Sequence, residues 1–307
     1  MSNMVQYGVW PNCCNACQFC LREERIPYSK QKQLKSLNKI IKNLDYVDFK
    51  DKFSSGISLL GGELYYVTDI DIQNKFLELI DAIINKVLKV STNPNCKYST
   101  VTNGMYDPTF LYKVIDKIIK EVGIEKIDIN FSYDLKYRFA SEEKRLQCLN
   151  NINNFHKRYN YRVGVQMILT QYVIDLWKTG KFEVNKFIEE NIPGNMLSFL
   201  YPHPIKTGIK LTDFNFSRKD LIQFLLYLKK ESPQTYYSFL QSTKNSAIFK
   251  YTGLQDRTDE SIKAQPKLSD GKEILTECGH SVLYRCYTDS DRCLLCDLES
   301  FDEEAYI

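Results

Sequence analysis

This chain of 307 residues contains no run of eighteen apolar residues, so its sequence offers no helix of a length and polarity that would cross a bilayer. It also lacks a basic-then-apolar leader. Met1 to Asn12 is polar and aromatic, which leads to the expectation of a soluble, untargeted, cytoplasmic protein. A strong net charge is missing as well. Forty-one Lys and Arg stand against thirty-eight Asp and Glu, and the resulting +3 is too small for the electrostatic footprint of a nucleic-acid binder. No internal repeat or low-complexity tract is evident.

What is present is enough apolar material, 43% of the chain, for one large α/β domain and an appended piece. The charge is unevenly spread. Residues 251–307 carry six Lys and Arg against thirteen Asp and Glu, so the remainder of the chain is basic and a boundary is expected before that stretch. Lysines such as Lys35, Lys39 and Lys42, opposite the apolar Leu34, Leu37, Ile40, Ile41 and Leu44, read as the solvated face of a helix. Ten cysteines without an export signal argue for metal ligation in a reducing compartment rather than for disulfides.

Three of those cysteines dominate the reading. Cys13, Cys17 and Cys20 stand in a CxxxCxxC spacing, with Phe19 before the last, just after a Val5 to Trp10 run that could be a strand. Three thiolates on one tight loop can hold three irons of a [4Fe-4S] cluster and leave the fourth open. Zinc, the alternative metal, prefers four ligands in paired spacings, and disulfide frameworks belong to small secreted domains. Further on, Gly56 to Glu63 reads as a short apolar strand ending in Gly61-Gly62-Glu63. Two glycines allow close backbone approach to a ligand, and a carboxylate beside them suits a cationic ammonium; the bland alternative is an ordinary Gly-Gly turn.

Cys13, Cys17, Phe19 and Cys20, followed in order by Gly61-Gly62-Glu63, resemble the signature of the radical S-adenosylmethionine (radical SAM) superfamily. That resemblance implies a [4Fe-4S] cluster on Cys13, Cys17 and Cys20 whose open iron is chelated by SAM. It also implies that Gly61, Gly62 and Glu63 receive the SAM amino group and that Ser132 meets its ribose or carboxylate. Phe19, Thr102, Asn103, Gln166 and Tyr201 become candidates for adenosine contacts. In such enzymes a reduced cluster passes one electron to the sulfonium. The sulfur to C5′ bond breaks, and the 5′-deoxyadenosyl radical takes hydrogen from a substrate. An oxidoreductase of this kind needs an electron donor such as flavodoxin or ferredoxin.

The rest of the chain fits an α/β architecture. Strands are expected at Val5 to Trp10, Ile57 to Leu60, Lys97 to Val101, Glu125 to Tyr133, Tyr161 to Leu169 and Met196 to Tyr201. Between them lie helices at Lys30 to Leu44, Asp69 to Val90, a segment opened by Asp107-Pro108, Ser141 to Arg158, and Tyr172 to Glu190 with a break near Gly180. Alternation of this kind calls for parallel strands with right-handed crossovers, and six strands are too few for a closed eight-stranded barrel. The expected fold is a partial (β/α)6 TIM-type barrel over residues 1–205, with its ligands at the carboxyl ends of the strands. Residues 206–307 are expected to form an extension, with a helix capped by Ser217 and another from Pro233.

Within that extension Cys278, Cys286, Cys293 and Cys296 supply four soft ligands, two of them as a CxxC pair, and His280 could replace one sulfur. Either a structural zinc or an auxiliary [4Fe-4S] cluster would suit them. The arrangement loosely resembles the cysteine-bearing SPASM and twitch extensions of radical SAM enzymes. Cys14, Cys96 and Cys148 are expected to be small buried side chains. On the substrate, the C-terminal cysteines favour a peptide or protein, and the basic remainder favours a nucleotide or nucleic-acid base. A scaffold that binds metal without turnover is the non-enzymatic alternative.

Overall fold

Six short segments with alternating or continuous apolar character form strands: β1 (Asn3–Gly8), β2 (Ser54–Leu60), β3 (Lys97–Thr102), β4 (Ile127–Tyr133), β5 (Gly164–Ile168) and β6 (Met196–Leu200). The computed structural model describes residues 3–15, 17, 26–47, 49–50, 54–200 and 218–245. Phe19, Cys20, Tyr201, the expected boundary at residue 205, the Ser217 cap and the cysteines Cys278, Cys286, Cys293 and Cys296 lie outside the described residues. The strands lie in the order β1-β2-β3-β4-β5-β6, and the β1–β2, β2–β3 and β3–β4 pairings are parallel. Helices α1 (Lys30–Asn43), α2 (Ile70–Ile83), α3 (Thr109–Val122) and α4 (Glu142–Tyr159) follow the first four strands in turn. Sequential parallel strands joined through helices make a partial (β/α)6 barrel, as the alternation in the sequence leads one to expect.

The described residues belong to two compact units. One draws on the described residues up to Gln166 and on Glu190–Leu197, the other on Met167–Glu189 and the described residues from Ser198 onward. In the first unit the core lies between strands and helices. Phe76 of α2 is fully buried, with its ring 5.8 Å from Trp10, 6.0 Å from Tyr65 and 5.7 Å from Phe110 of α3. Trp10 and Tyr65 sit just beyond β1 and β2, so one aromatic cluster fixes where two strand ends finish. Strand β4 has two characters: Ile127, Ile129, Phe131 and Tyr133 are buried, while Asp128, Asn130 and Ser132 are half-buried on the opposite face. In the second unit lie α5 (Gln171–Lys178), α7 (Arg218–Glu231), α8 (Pro233–Asn245) and, as far as Glu189, α6 (Val184–Asn191). Phe224 packs there 5.3 Å from Trp177 and 5.5 Å from Phe199.

Several boundaries move for physical reasons. The helix expected from Asp69 to Val90 is capped by the Asp69 carboxylate, which accepts from the N–H groups of Asp71 and Ile72. Its regular part ends at Ile83, and residues Ile84–Leu88 continue as a π-helical turn. Helix α3 starts one residue later than a first-turn proline would place it. Pro108 occupies the cap position, and Asp107 accepts from the Thr109 N–H instead. Strand β5 begins at Gly164 rather than Tyr161, since the Val163 N–H donates to the Asn195 side chain at 3.1 Å. No helix among the described residues is long and apolar enough to cross a membrane.

Candidate functional site

The ends of β1, β2 and β3 are tied to one another by backbone before any side chain is considered. The Gly62 N–H donates to the Trp10 carbonyl at 2.7 Å and the Glu63 N–H to the Asn12 carbonyl at 2.7 Å. A Cβ on Gly62 would sit 2.1 Å from the Asn12 carbonyl oxygen, so only glycine lets these strands approach so closely. The glycine pair therefore packs the Gly61-Gly62-Glu63 turn directly beneath the segment that opens the cysteine loop. Asn12 also exchanges two side-chain hydrogen bonds with the Tyr28 backbone, at 3.1 and 2.8 Å, pinning the loop at both of its ends.

Glu63 is buried at this junction, 1% exposed. Its Oε1 accepts from Thr102 Oγ1 at 3.0 Å and from the Tyr65 N–H at 3.3 Å, and its Oε2 accepts from the Asn103 N–H at 2.7 Å. Tyr106 extends the chain, its hydroxyl 2.6 Å from Thr102 Oγ1. Burial is the largest influence on the Glu63 carboxyl and pushes its pKa up to about 7, against the opposing effect of these donors. A carboxylate offers about four lone-pair positions, so three internal donors leave Oε2 able to accept one more.

The described sulfurs of the cysteine loop are surrounded by donors. Cys13 and Cys14 are exposed and Cys17 is buried. Cys17 Sγ receives Asn15 Nδ2 at 3.0 Å and Arg138 Nη1 at 3.6 Å, and the same Asn15 amide donates to the Arg138 carbonyl at 2.7 Å. Asn103 Nδ2 lies 3.7 Å from Cys13 Sγ and 3.4 Å from Cys14 Sγ. A hydrogen bond from the Cys14 thiol, followed by the Asn15 N–H, Arg138 and Asn103, holds the Cys13 thiol well below the usual range, while Cys14, the donor, is raised. Donors aimed at sulfur favour thiolate, the form that ligates metal. The donor set thus fits a thiolate-bound cluster at Cys13 and Cys17, with Cys20 beyond the described residues.

The loop after β3 is held in place by α4. Asn151 Nδ2 donates to the carbonyls of both Gly104 and Tyr106 at 2.8 Å, and Gly104 takes φ +63°, a conformation side chains resist. Beyond β4, the buried Asp134 accepts from the N–H groups of Lys136 and Tyr137 at 2.8 and 2.6 Å. Burial raises its pKa to about 6, with Asp134 accepting a turn that carries Arg138 toward the cysteine loop.

Of the residues singled out in the sequence, Cys13, Cys17, Gly61, Gly62, Glu63, Thr102 and Asn103 come together. Ser132 is half-buried near the end of β4, its carbonyl 4.0 Å from Cys148 Sγ. Gln166 is half-buried on β5 and has no hydrogen bond to Glu63 or the cysteine loop among the described residues. Cys96 and Cys148 are buried as expected. Cys14 is a correction: it is exposed, because it stands on the loop surface beside Cys13 and Asn103 instead of entering the core. Asn15 and Arg138 were not legible as site residues. Asn15 is an unremarked position inside CxxxC, and Arg138 belongs to no motif.

No protein-family model and no curated protein matches this chain. Among solved structures, it matches one described as native anSMEcpe with bound AdoMet, an anaerobic sulfatase-maturating radical SAM enzyme. That match has a TM-score of 0.53 and 13% identity, and covers 98% of this chain and 95% of that one. The chain shares the fold of that enzyme. Two further anSMEcpe structures, with bound AdoMet and the Cp18Cys peptide or with bound AdoMet alone, match at TM-score 0.49 with 15% and 14% identity. Each covers 74% of this chain, which spans 58% of their length.

Proposed function

We propose that this chain is a radical SAM enzyme which binds a [4Fe-4S] cluster through Cys13, Cys17 and Cys20 and uses it to cleave SAM. One observation carries the reading: donors converge on the Cys13 and Cys17 sulfurs directly beside a buried carboxylate with a remaining acceptor position. When bound, a reduced cluster supplies the electron that splits the SAM sulfonium and yields a radical able to abstract hydrogen. The chain's own residues would bind and orient. Glu63 would accept from the SAM ammonium, the Gly61-Gly62 turn would keep that carboxylate against the loop, and Arg138 would offset negative charge at Cys17. Ser132 and Gln166 remain candidates for the SAM ribose, carboxylate or adenine. Flavodoxin or ferredoxin is proposed as electron donor on the family resemblance.

A peptide or protein is the proposed substrate class. It is supported by the match to a sulfatase-maturating enzyme over nearly the full length of both chains and by the C-terminal cysteines. The direct test is anaerobic reconstitution with iron and sulfide. Reduced protein is expected to give a cluster EPR signal that shifts on adding SAM, as ligation of an open iron requires. A signal unchanged by saturating SAM would overturn the reading.

The same preparation tests the second metal. Cys278, Cys286, Cys293 and Cys296 are proposed to hold an auxiliary [4Fe-4S] cluster or a zinc. Protein with Cys13, Cys17 and Cys20 all changed to Ala is expected to retain either about four irons with four sulfides or about one zinc without sulfide. A folded triple variant that retains neither rules out the site.

A further inference from the structure

The Asn103 backbone reaches Glu63 and its side chain reaches two sulfurs of the cysteine loop. Asn103 is 5% exposed and held from three directions. Its N–H donates to Glu63 Oε2 at 2.7 Å, and its Oδ1 accepts from the Met105 N–H at 2.9 Å. The residue after it is clamped through its carbonyl by Asn151. With Oδ1 committed to a backbone N–H, the amide presents Nδ2 to sulfur, 3.4 Å from Cys14 and 3.7 Å from Cys13. A flipped amide would turn an acceptor toward the sulfurs and lose the Met105 bond. Oδ1 also lies 3.8 Å from Cys14 Sγ, an alternative acceptor to the Cys13 sulfur for the single Cys14 thiol proton, and either choice leaves the amide orientation unchanged.

We propose that Asn103 is a positioning residue for the redox centre: its side-chain amide donates to the Cys13 ligand sulfur and raises the reduction potential of the cluster, while its main chain holds Glu63. The proposal rests on the reading that Cys13 ligates a cluster. A donor to a ligand sulfur stabilises the state with more negative charge, which is the reduced one, so the potential rises. The sequence resemblance makes Asn103 a candidate for adenosine contact; the geometry instead directs its amide to sulfur. One residue then connects the carboxylate proposed for the SAM ammonium with a ligand of the cluster.

The test uses the full chain, loaded anaerobically, as wild type and as Asn103→Asp, Asn103→Ala and Asn103→Ser. Asp has the same shape and can still accept from the Met105 N–H, but it has no amide donor and adds a negative charge. Iron and sulfide are counted first, and midpoint potentials are then measured by EPR-monitored titration without SAM. In Asn103→Asp the reduced-to-oxidised ratio at a fixed potential is expected to fall about tenfold, equivalent to about 59 mV for one electron. Asn103→Ala is expected to shift the same way by less, and Asn103→Ser, with a short hydroxyl donor, to lie nearer wild type. In addition, a deuterium-exchangeable proton coupled to the wild-type cluster in ENDOR spectra should disappear in Asn103→Ala. Variants with full clusters and reduced-to-oxidised ratios at that potential within twofold of wild type would overturn the proposal. So would loss of the cluster in all three, which would assign Asn103 to holding the loop rather than tuning it. A wild type that takes up no cluster would instead sink the functional reading itself.

Discussion

Anaerobically loaded protein given SAM and a strong one-electron reductant is expected to release 5′-deoxyadenosine without any substrate, and the Cys13→Ala, Cys17→Ala, Cys20→Ala protein is expected to release none. The loss should be complete rather than partial, because removing the thiolates removes the only proposed source of the electron. The variant should still fold. The loop is pinned through Asn12 and Tyr28 and through the Gly62 and Glu63 backbone, none of which is changed. Circular dichroism of the triple variant should therefore match wild type while chromatography of the reaction finds no product. Product above the reductant-only background would mean that this loop is not where SAM is cleaved.

The second large effect is expected at Glu63. Glu63→Gln keeps the side-chain shape but removes the charge, and a hydrogen bond to a charged group contributes roughly 1.5 to 3 kcal/mol. SAM affinity should fall by about one to two decades with the cluster spectrum unchanged. The variant also turns an amide N–H toward one of the three donors from Thr102, Tyr65 and Asn103, an arrangement a carboxylate alone satisfies.

Proton linkage at Glu63 gives the same test a second axis. Burial raises the carboxyl to about 7, so the free site takes up a proton as pH falls through that value, and the neutral acid no longer pairs with an ammonium. The advantage of wild type over Glu63→Gln in SAM affinity should accordingly shrink about tenfold between about pH 8 and pH 6. Calorimetry at both pH values measures it. A constant ratio would mean Glu63 does not face the ammonium.

Much of this arrangement is written in local pattern. The apolar residues at Ile72, Phe76, Leu79, Ile80 and Ile83 repeat at helical spacing and are buried on α2, and Asp69 caps that helix as its position before the apolar run indicates. Ile127, Ile129 and Phe131 alternate and are buried on β4. Alternating strands and helices bring every strand's carboxyl end to the same side, so Cys13, Glu63 and Asn103 share a site although they are distant in the chain. The cysteine spacing and the Gly61-Gly62-Glu63 turn mark the chemistry because each is a short stretch whose residue types serve one purpose.

What pattern could not reach depends on distance through space. Arg138 meets Cys17 only because Asp134 turns the chain after β4, and Asn15 reaches Cys17 and the Arg138 carbonyl only once the loop closes over that turn. Cys14 looks like any small apolar residue in the sequence, yet its neighbours on the loop put it at the surface. Asn103 sits in a Thr-Asn-Gly turn that local rules explain fully, and its second role exists only because β2 and the cysteine loop arrive on either side of it. The sequence by itself determined the elements, their order and the chemical kinds of residue at the strand ends, since these follow from local periodicity and spacing. The tertiary structure alone decided which donor meets which sulfur and how deeply Glu63 is buried, since hydrogen bonds and desolvation depend on contacts among segments far apart in the chain.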